Sequence, residues 1–257
     1  MAIANGQATL IRFLAARGIW TNIKSVCELG SQEPRPDELQ GLFEAFGMKP
    51  LVENYSARDF YRHLGISQYT SVDFNGEHNA LPYDLNRNLR ADYNFHGIFD
   101  LVTNFGTSEH CFNQYEVFRN IHQLCAAGGY MLHTVPTQGW GRHCFFRYDA
   151  NFFEDLAAAN NYQVLYLEPF LRLKAFLKKD KAQTIGHIQA VCAMAEFAID
   201  QSRLSGNSTD PTAQPDISAA VNQLGKGDAF FNITMACAMK KNAEQEFITP
   251  IQGLYRK

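Results

Sequence analysis

The chain of 257 residues has no Cys-x-x-Cys pair, no excess of basic charge, no internal repeat and no apolar run near the about 20 residues that a membrane helix needs. Each absence removes a class of protein. A net charge of −3 gives no electrostatic reason to expect a nucleic-acid partner. Short apolar runs exclude a membrane span. The first residues, MAIANGQATLIRF, lack a basic segment followed by an apolar one, so no signal peptide is expected. The six cysteines, Cys27, Cys111, Cys125, Cys144, Cys192 and Cys237, stand apart. Three of them, Cys27, Cys125 and Cys237, fall inside apolar segments and read as small core residues, and a reducing cytoplasm is the simplest setting. Both G-x-G-x-x-G and G-x-x-x-x-G-K-S/T are absent, which disfavours a dinucleotide fingerprint and an NTP P-loop. With 46% hydrophobic and 19% charged residues, the composition is that of a globular domain rather than a disordered chain.

What is present is an alternation of strands and helices. Residues 8–18 have helical spacing and stop at Gly18. A buried strand over Val26 to Leu29 follows, then a helix over 37–47 and another opened by Ser56, whose spacing to Asp59 suits a capping box. Further strands are predicted at Tyr69 to Asp73, Ala80 to Leu85, 99–104, Tyr130 to Val135, Gln163 to Leu167 and Phe230 to Met239. The most regular helix is expected over Asn113 to Ala127, terminated by Gly128-Gly129, and another covers Phe152 to Asn160. Residues 170–228 break the rhythm: Thr184 to Leu204 reads as one long helix, and Ser205 to Pro215 as a polar loop. The expected architecture is α/β, a doubly wound, mostly parallel sheet in one domain, with 170–228 as a helical insertion or lid.

In such a sheet the ligand meets the carboxyl ends of the strands. The first of them carries Glu28, Gly30, Ser31 and Gln32, the second Asp73 and Phe74, the third Asp84 and Leu85, and the fourth Asn104 and Phe105. One glycine and an acid at Glu33 suit a cofactor with a ribose and an adenine but no phosphate. Gly30 allows a close pass, Asp73 can accept both ribose hydroxyls, and Asp84 can accept from the adenine amine. Asn104 and Phe105 can meet the amino-acid end, and Glu28 can balance its positive charge. S-adenosylmethionine has this chemistry.

At these positions the chain resembles the class I S-adenosylmethionine-dependent methyltransferases. ELGSQE looks like a degenerate first motif, with one glycine where the family often has two or three; SVDFNGE, ALPYDLN and FDLVTNFGTSEH look like the second, third and fourth, and AAGGYMLHTVP like the strand-five region. The resemblance covers roughly residues 20–168 and returns at 229–240. It implies a Rossmann-like sheet of seven strands with an antiparallel last strand.

Methyl transfer to an oxygen or an acidic carbon also needs a base. His110 and His143, on loops after the fourth and fifth strands, are the candidates, whereas His133, mid-strand, reads as a core histidine. The pairs His110-Cys111 and His143-Cys144 match no zinc spacing, and no metal is expected. Neither cysteine has a third group to make it a nucleophile. The expected acceptor is a small molecule, with oxygen the first choice and nitrogen or carbon open. The alternatives are a non-catalytic module of the same fold that holds the cofactor or forms a homodimer, and a nucleotide-dependent oxidoreductase.

Overall fold

The structure is a computed structural model, and it describes residues 2–49, 55–138, 140, 142–175 and 229–255. Strands β1 (Ala2–Ile3) and β3 (Glu33–Pro34) pair in a short parallel ribbon. The main sheet contains β2 (Ser25–Leu29), β4 (Gln68–Val72), β5 (Phe99–Phe105), β6 (Cys125–Gln138), β7 (Tyr162–Ala175) and β8 (Ala229–Lys241). Its order is β4-β2-β5-β6-β8-β7. Strands β4, β2, β5 and β6 run parallel, and β8 runs antiparallel to β6. The chain leaves β2 for β4 on one side and returns to β5 on the other, so β2 sits at the switch point of a Rossmann-like sheet.

The central strands alternate between two apolar layers. Val26, Leu101, Leu132, Ala236 and Ala238 face α1 (Asn5–Ala16), α2 (Pro36–Ala45) and α3 (Ala57–His63), packing with Leu10, Leu14, Phe43, Phe60 and Tyr61. Cys27, Val102, Met131, Cys237 and Met239 face α5 (Gln114–Leu124) and α6 (Ala150–Ala159), packing with Val117, Ile121, Phe153 and Leu156. A short helix, α4 (Leu89–Tyr93), precedes β5. The expected cap on α3 is present: the Asp59 amide donates to Ser56 Oγ at 3.1 Å and the Ser56 amide to Asp59 Oδ2 at 3.3 Å. The Gln7 side chain accepts from the Ala4 amide and donates to Thr134 Oγ1 at 2.9 Å, so the start of α1 is tied to β6.

Four expectations are corrected. Ala80 to Leu85 is not a strand, and the sheet has six strands among the described residues rather than seven. Leu81 makes one parallel bridge to Val72, but Pro82 has no amide to donate and the Tyr83 amide turns back to the Leu81 carbonyl at 2.8 Å. The helix expected to run to Ala127 ends at Leu124, because Cys125 turns extended and pairs with Phe99 as the start of β6; the buried Lys241 ammonium takes the His122 and Cys125 carbonyls at 3.0 and 3.1 Å. Gly128-Gly129 lies inside β6, in an irregularity between the pairs Phe99–Cys125 and Leu101–Tyr130. A Cβ at Gly129 would sit 2.9 Å from the Ala126 carbonyl oxygen and 3.0 Å from that of Asp100. Finally, the strands expected to end at Val135 and Leu167 run on through Pro136 and Pro169: Pro136 is followed at once by a register shift, and β7 is the last strand in the sheet order, where an edge tolerates proline.

The chain divides into two compact units, Met1–Leu171 with Ile233–Lys257, and Arg172–Asn232. The expected Thr184 to Leu204 helix and Ser205 to Pro215 loop lie outside the described residues, as does nearly all of the 170–228 insertion. Among the described residues no helix is long and apolar enough to cross a membrane.

Candidate functional site

The carboxyl ends of β2 and β4 meet through side-chain to backbone bonds. Gly30 has φ +84, in the left-handed region that a glycine enters without strain, and its amide donates to the Val72 carbonyl at 2.8 Å. The Ser31 amide donates to Asp73 Oδ2 at 2.6 Å, and Ser31 Oγ donates to the Glu77 carbonyl at 3.1 Å. Asp73 Oδ1 accepts from the Asn75 amide at 3.1 Å. The half-buried Asp73 carboxylate is thus held by two amides and keeps further lone pairs for hydroxyl donors. Buried Gln32 donates from Nε2 to the Phe105 carbonyl at 3.1 Å, while its Oε1 has no hydrogen-bond partner. Phe74, at 76% exposed, stands clear of the protein.

The side chains of the remaining predicted cofactor residues are engaged elsewhere. Glu28, on the same face of β2 as Val26, is fully buried and accepts from the Tyr69 hydroxyl at 2.7 Å. Its other oxygen, the Tyr61 hydroxyl and the Thr103 hydroxyl are buried with no hydrogen bond of good geometry. Burial pushes the Glu28 carboxyl from 4.5 up to about 8, against the opposing pull of the Tyr69 hydroxyl. Asn104 is also fully buried: its Oδ1 accepts from the Ser108 amide, and its Nδ2 lies 2.8 Å from Ser108 Oγ and 3.2 Å from His133 Nδ1. His133 is enclosed, and burial drives its imidazole down to about 3. The Phe105 ring is buried against the α1–α3 layer. Asp84 accepts from the Asn86 amide at 2.9 Å and its side chain at 2.7 Å, and Leu85 is buried in the other layer.

His110 and His143 come together, with ring centroids 4.9 Å apart and planes at 77°. Sequence reasoning found the pair but not what assembles it. Glu109, before His110 in the turn Ser108–His110, is 1% exposed. Its carbonyl accepts from the Phe145 and Phe146 amides at 3.0 and 3.2 Å, which fastens the His143 loop against the end of β5. Burial raises the Glu109 carboxyl from 4.5 to about 7, and its Oε2 has no hydrogen-bond partner. Burial and the neighbouring His143 lower His110. The cysteines beside the histidines turn elsewhere: Cys111 is in the apolar layer with its thiol pushed to about 12, and Cys144 Sγ donates to the Phe146 carbonyl at 3.0 Å. The rings of Phe112 and Phe145, both exposed, meet edge to face 5.8 Å apart.

No family model and no curated protein matches the chain. Solved structures to which it is similar include S-adenosylmethionine-dependent methyltransferases. A candidate methyltransferase from Bacillus halodurans is 13% identical, covers 91% of this chain and 100% of its own, and has a TM-score of 0.45. An S-adenosylmethionine-dependent methyltransferase from Archaeoglobus fulgidus is 10% identical over 91% and 94%, with a TM-score of 0.42. The O-methyltransferase of a trans-AT PKS multienzyme of Brevibacillus brevis, solved with S-adenosyl-L-homocysteine, is 12% identical over 91% and 71%, with a TM-score of 0.39. The strand order and register described above define the fold.

Proposed function

We propose that the turn between β2 and β4 holds S-adenosylmethionine and that the chain methylates a small molecule at oxygen. The observation that carries this reading is the Gly30–Ser31–Asp73 arrangement. The Gly30 and Ser31 amides are already bonded, to Val72 and Asp73, so the turn has few donors left for a pyrophosphate. It instead offers carboxylate lone pairs, which suit a ribose diol. The donor set therefore fits a nucleoside cofactor without phosphates better than a dinucleotide. When bound, S-adenosylmethionine supplies a methyl group on a sulfonium, an activated leaving group that makes positioning the main task. Asp73 holds the ribose, Gly30 lets the backbone pass close to the cofactor, and the Phe112 and Phe145 rings give an apolar small molecule a wall beside Glu109, His110 and His143.

Calorimetric titration of wild type and Asp73→Ala with S-adenosylmethionine, S-adenosylhomocysteine and NADH tests the cofactor. The expected result is binding of both sulfur compounds by the wild type, at least about 100-fold weaker in the variant, as loss of two charge-assisted bonds implies. Wild-type binding of NADH in preference to them would refute the reading, and so would no binding of either sulfur compound.

A further inference from the structure

Glu109, His110 and His143 place one carboxylate oxygen and two imidazole nitrogens within 4.8 Å of one another. We infer that this cluster binds a single divalent transition-metal ion, with Glu109, His110 and His143 as its three protein ligands. The acid is the first argument. A carboxyl group 1% exposed, with one oxygen lacking any hydrogen bond, is costly to bury unless something occupies that oxygen, and a cation does. The scaffold is the second. The two amides that bond the Glu109 carbonyl come from the loop that carries His143, so the same residue supplies a ligand and fixes the position of another. The two rings meet edge to face rather than stacked, and both are exposed, so small rotations bring their nitrogens toward one point. A tetrahedral ion with bonds of about 2.0–2.1 Å needs donor atoms about 3.4 Å apart, within reach of such rotations.

The donor set selects the ion. Cys111 and Cys144 are turned away, so the set is two nitrogens and one oxygen with no sulfur. Imidazole favours Zn²⁺, Fe²⁺, Co²⁺ or Ni²⁺, whereas Mg²⁺ and Ca²⁺ prefer oxygen cages. Three protein ligands with exposed imidazoles leave coordination positions open toward solvent, as catalytic rather than structural sites do. On the methyltransferase reading, and only there, an open position would take the acceptor hydroxyl, whose proton passes to solvent water as the oxygen takes the methyl group.

The test is metal uptake by the full chain. Protein stripped by a chelator is titrated with Co²⁺, and the visible absorption of the ion is followed in wild type, Glu109→Gln, His110→Ala and His143→Ala, with circular dichroism confirming that each is folded. One Co²⁺ per wild-type chain is expected, displaced by Zn²⁺. Each variant should bind at least about 100-fold more weakly, beyond the 10–100-fold that losing an outer-sphere partner costs. A folded wild type that takes up no Co²⁺ would overturn the assignment, as would undiminished affinity in the three variants. S-adenosylhomocysteine titration of the same samples separates the two proposals, since either ligand can bind without the other.

Discussion

Replacing Glu28 by glutamine removes one ionisation while keeping the volume and the oxygen that accepts from Tyr69. In the folded wild type the carboxyl titrates at about 8, and its ordinary value is 4.5. Between those values the folded chain holds a proton that the unfolded chain has released. The group's contribution is therefore fully present below 4.5 and is lost as pH rises through about 8. At about 1.4 kcal/mol per pH unit, the wild type should lose up to about 4 kcal/mol between pH 5 and pH 8.5 through this residue alone. Glu28→Gln has no such loss. Urea denaturation of both proteins at the two pH values, at fixed salt, isolates the effect because all other titrating groups are shared. The expected outcome is a stability difference that swings toward the variant by several kcal/mol on going to the higher pH. An unchanged difference would mean that Glu28 is ionised inside the fold, and the argument from burial would fail. The result also bears on the site. A carboxyl that is neutral at pH 7 carries no charge to set against a cofactor's ammonium.

Two further perturbations probe the frame around the site. Lys241→Met should destabilise the chain by about 2–4 kcal/mol in urea titrations, since it leaves two carbonyls at the end of α5 without their donor; a change under about 0.5 kcal/mol would show that water replaces the ammonium. Gly30→Ala forces a side chain into the left-handed region, and a loss of about 1–2 kcal/mol is expected by thermal or urea denaturation, with weaker S-adenosylhomocysteine binding by calorimetry. Unchanged stability and affinity would show that the turn relaxes without consequence.

The strand ladder was legible because period-two alternation is local: Val26 and Cys27, or Leu101 and Val102, announce two buried faces within a few residues. The same alternation places Glu28 on the face of Val26, toward the helices, although its hydrogen-bonding partner Tyr69 comes from β4 and no local pattern names it. Limits appear wherever a distant group decides the outcome. Gly128-Gly129 reads as a helix stop, yet the helix ends earlier, where Cys125 pairs with Phe99 of β5 and Lys241, more than a hundred residues on, takes the carbonyls. The His110–His143 pair was legible as two loop histidines. The buried acid that joins them was not, because it depends on amides some thirty-six residues away closing onto the Glu109 carbonyl.

The sparse glycine of the first turn and its bonded amides are one fact seen twice. A glycine-rich turn leaves its amides open and relies on a phosphate to satisfy them. Here a serine and a glutamine stand in the turn, and both side chains are used: Ser31 Oγ reaches the Glu77 carbonyl, and Gln32 Nε2 reaches the Phe105 carbonyl across the switch point. The Ser31 amide is spent on Asp73. Glycine at 31 or 32 would free the backbone but delete the bonds that hold β2, β4 and β5 in register at their ends. The turn is therefore fixed from within, and what it presents outward is the remaining capacity of one carboxylate. On the proposed reading those lone pairs take the ribose hydroxyls, and the missing dinucleotide fingerprint is then a consequence of a turn that is bonded from within.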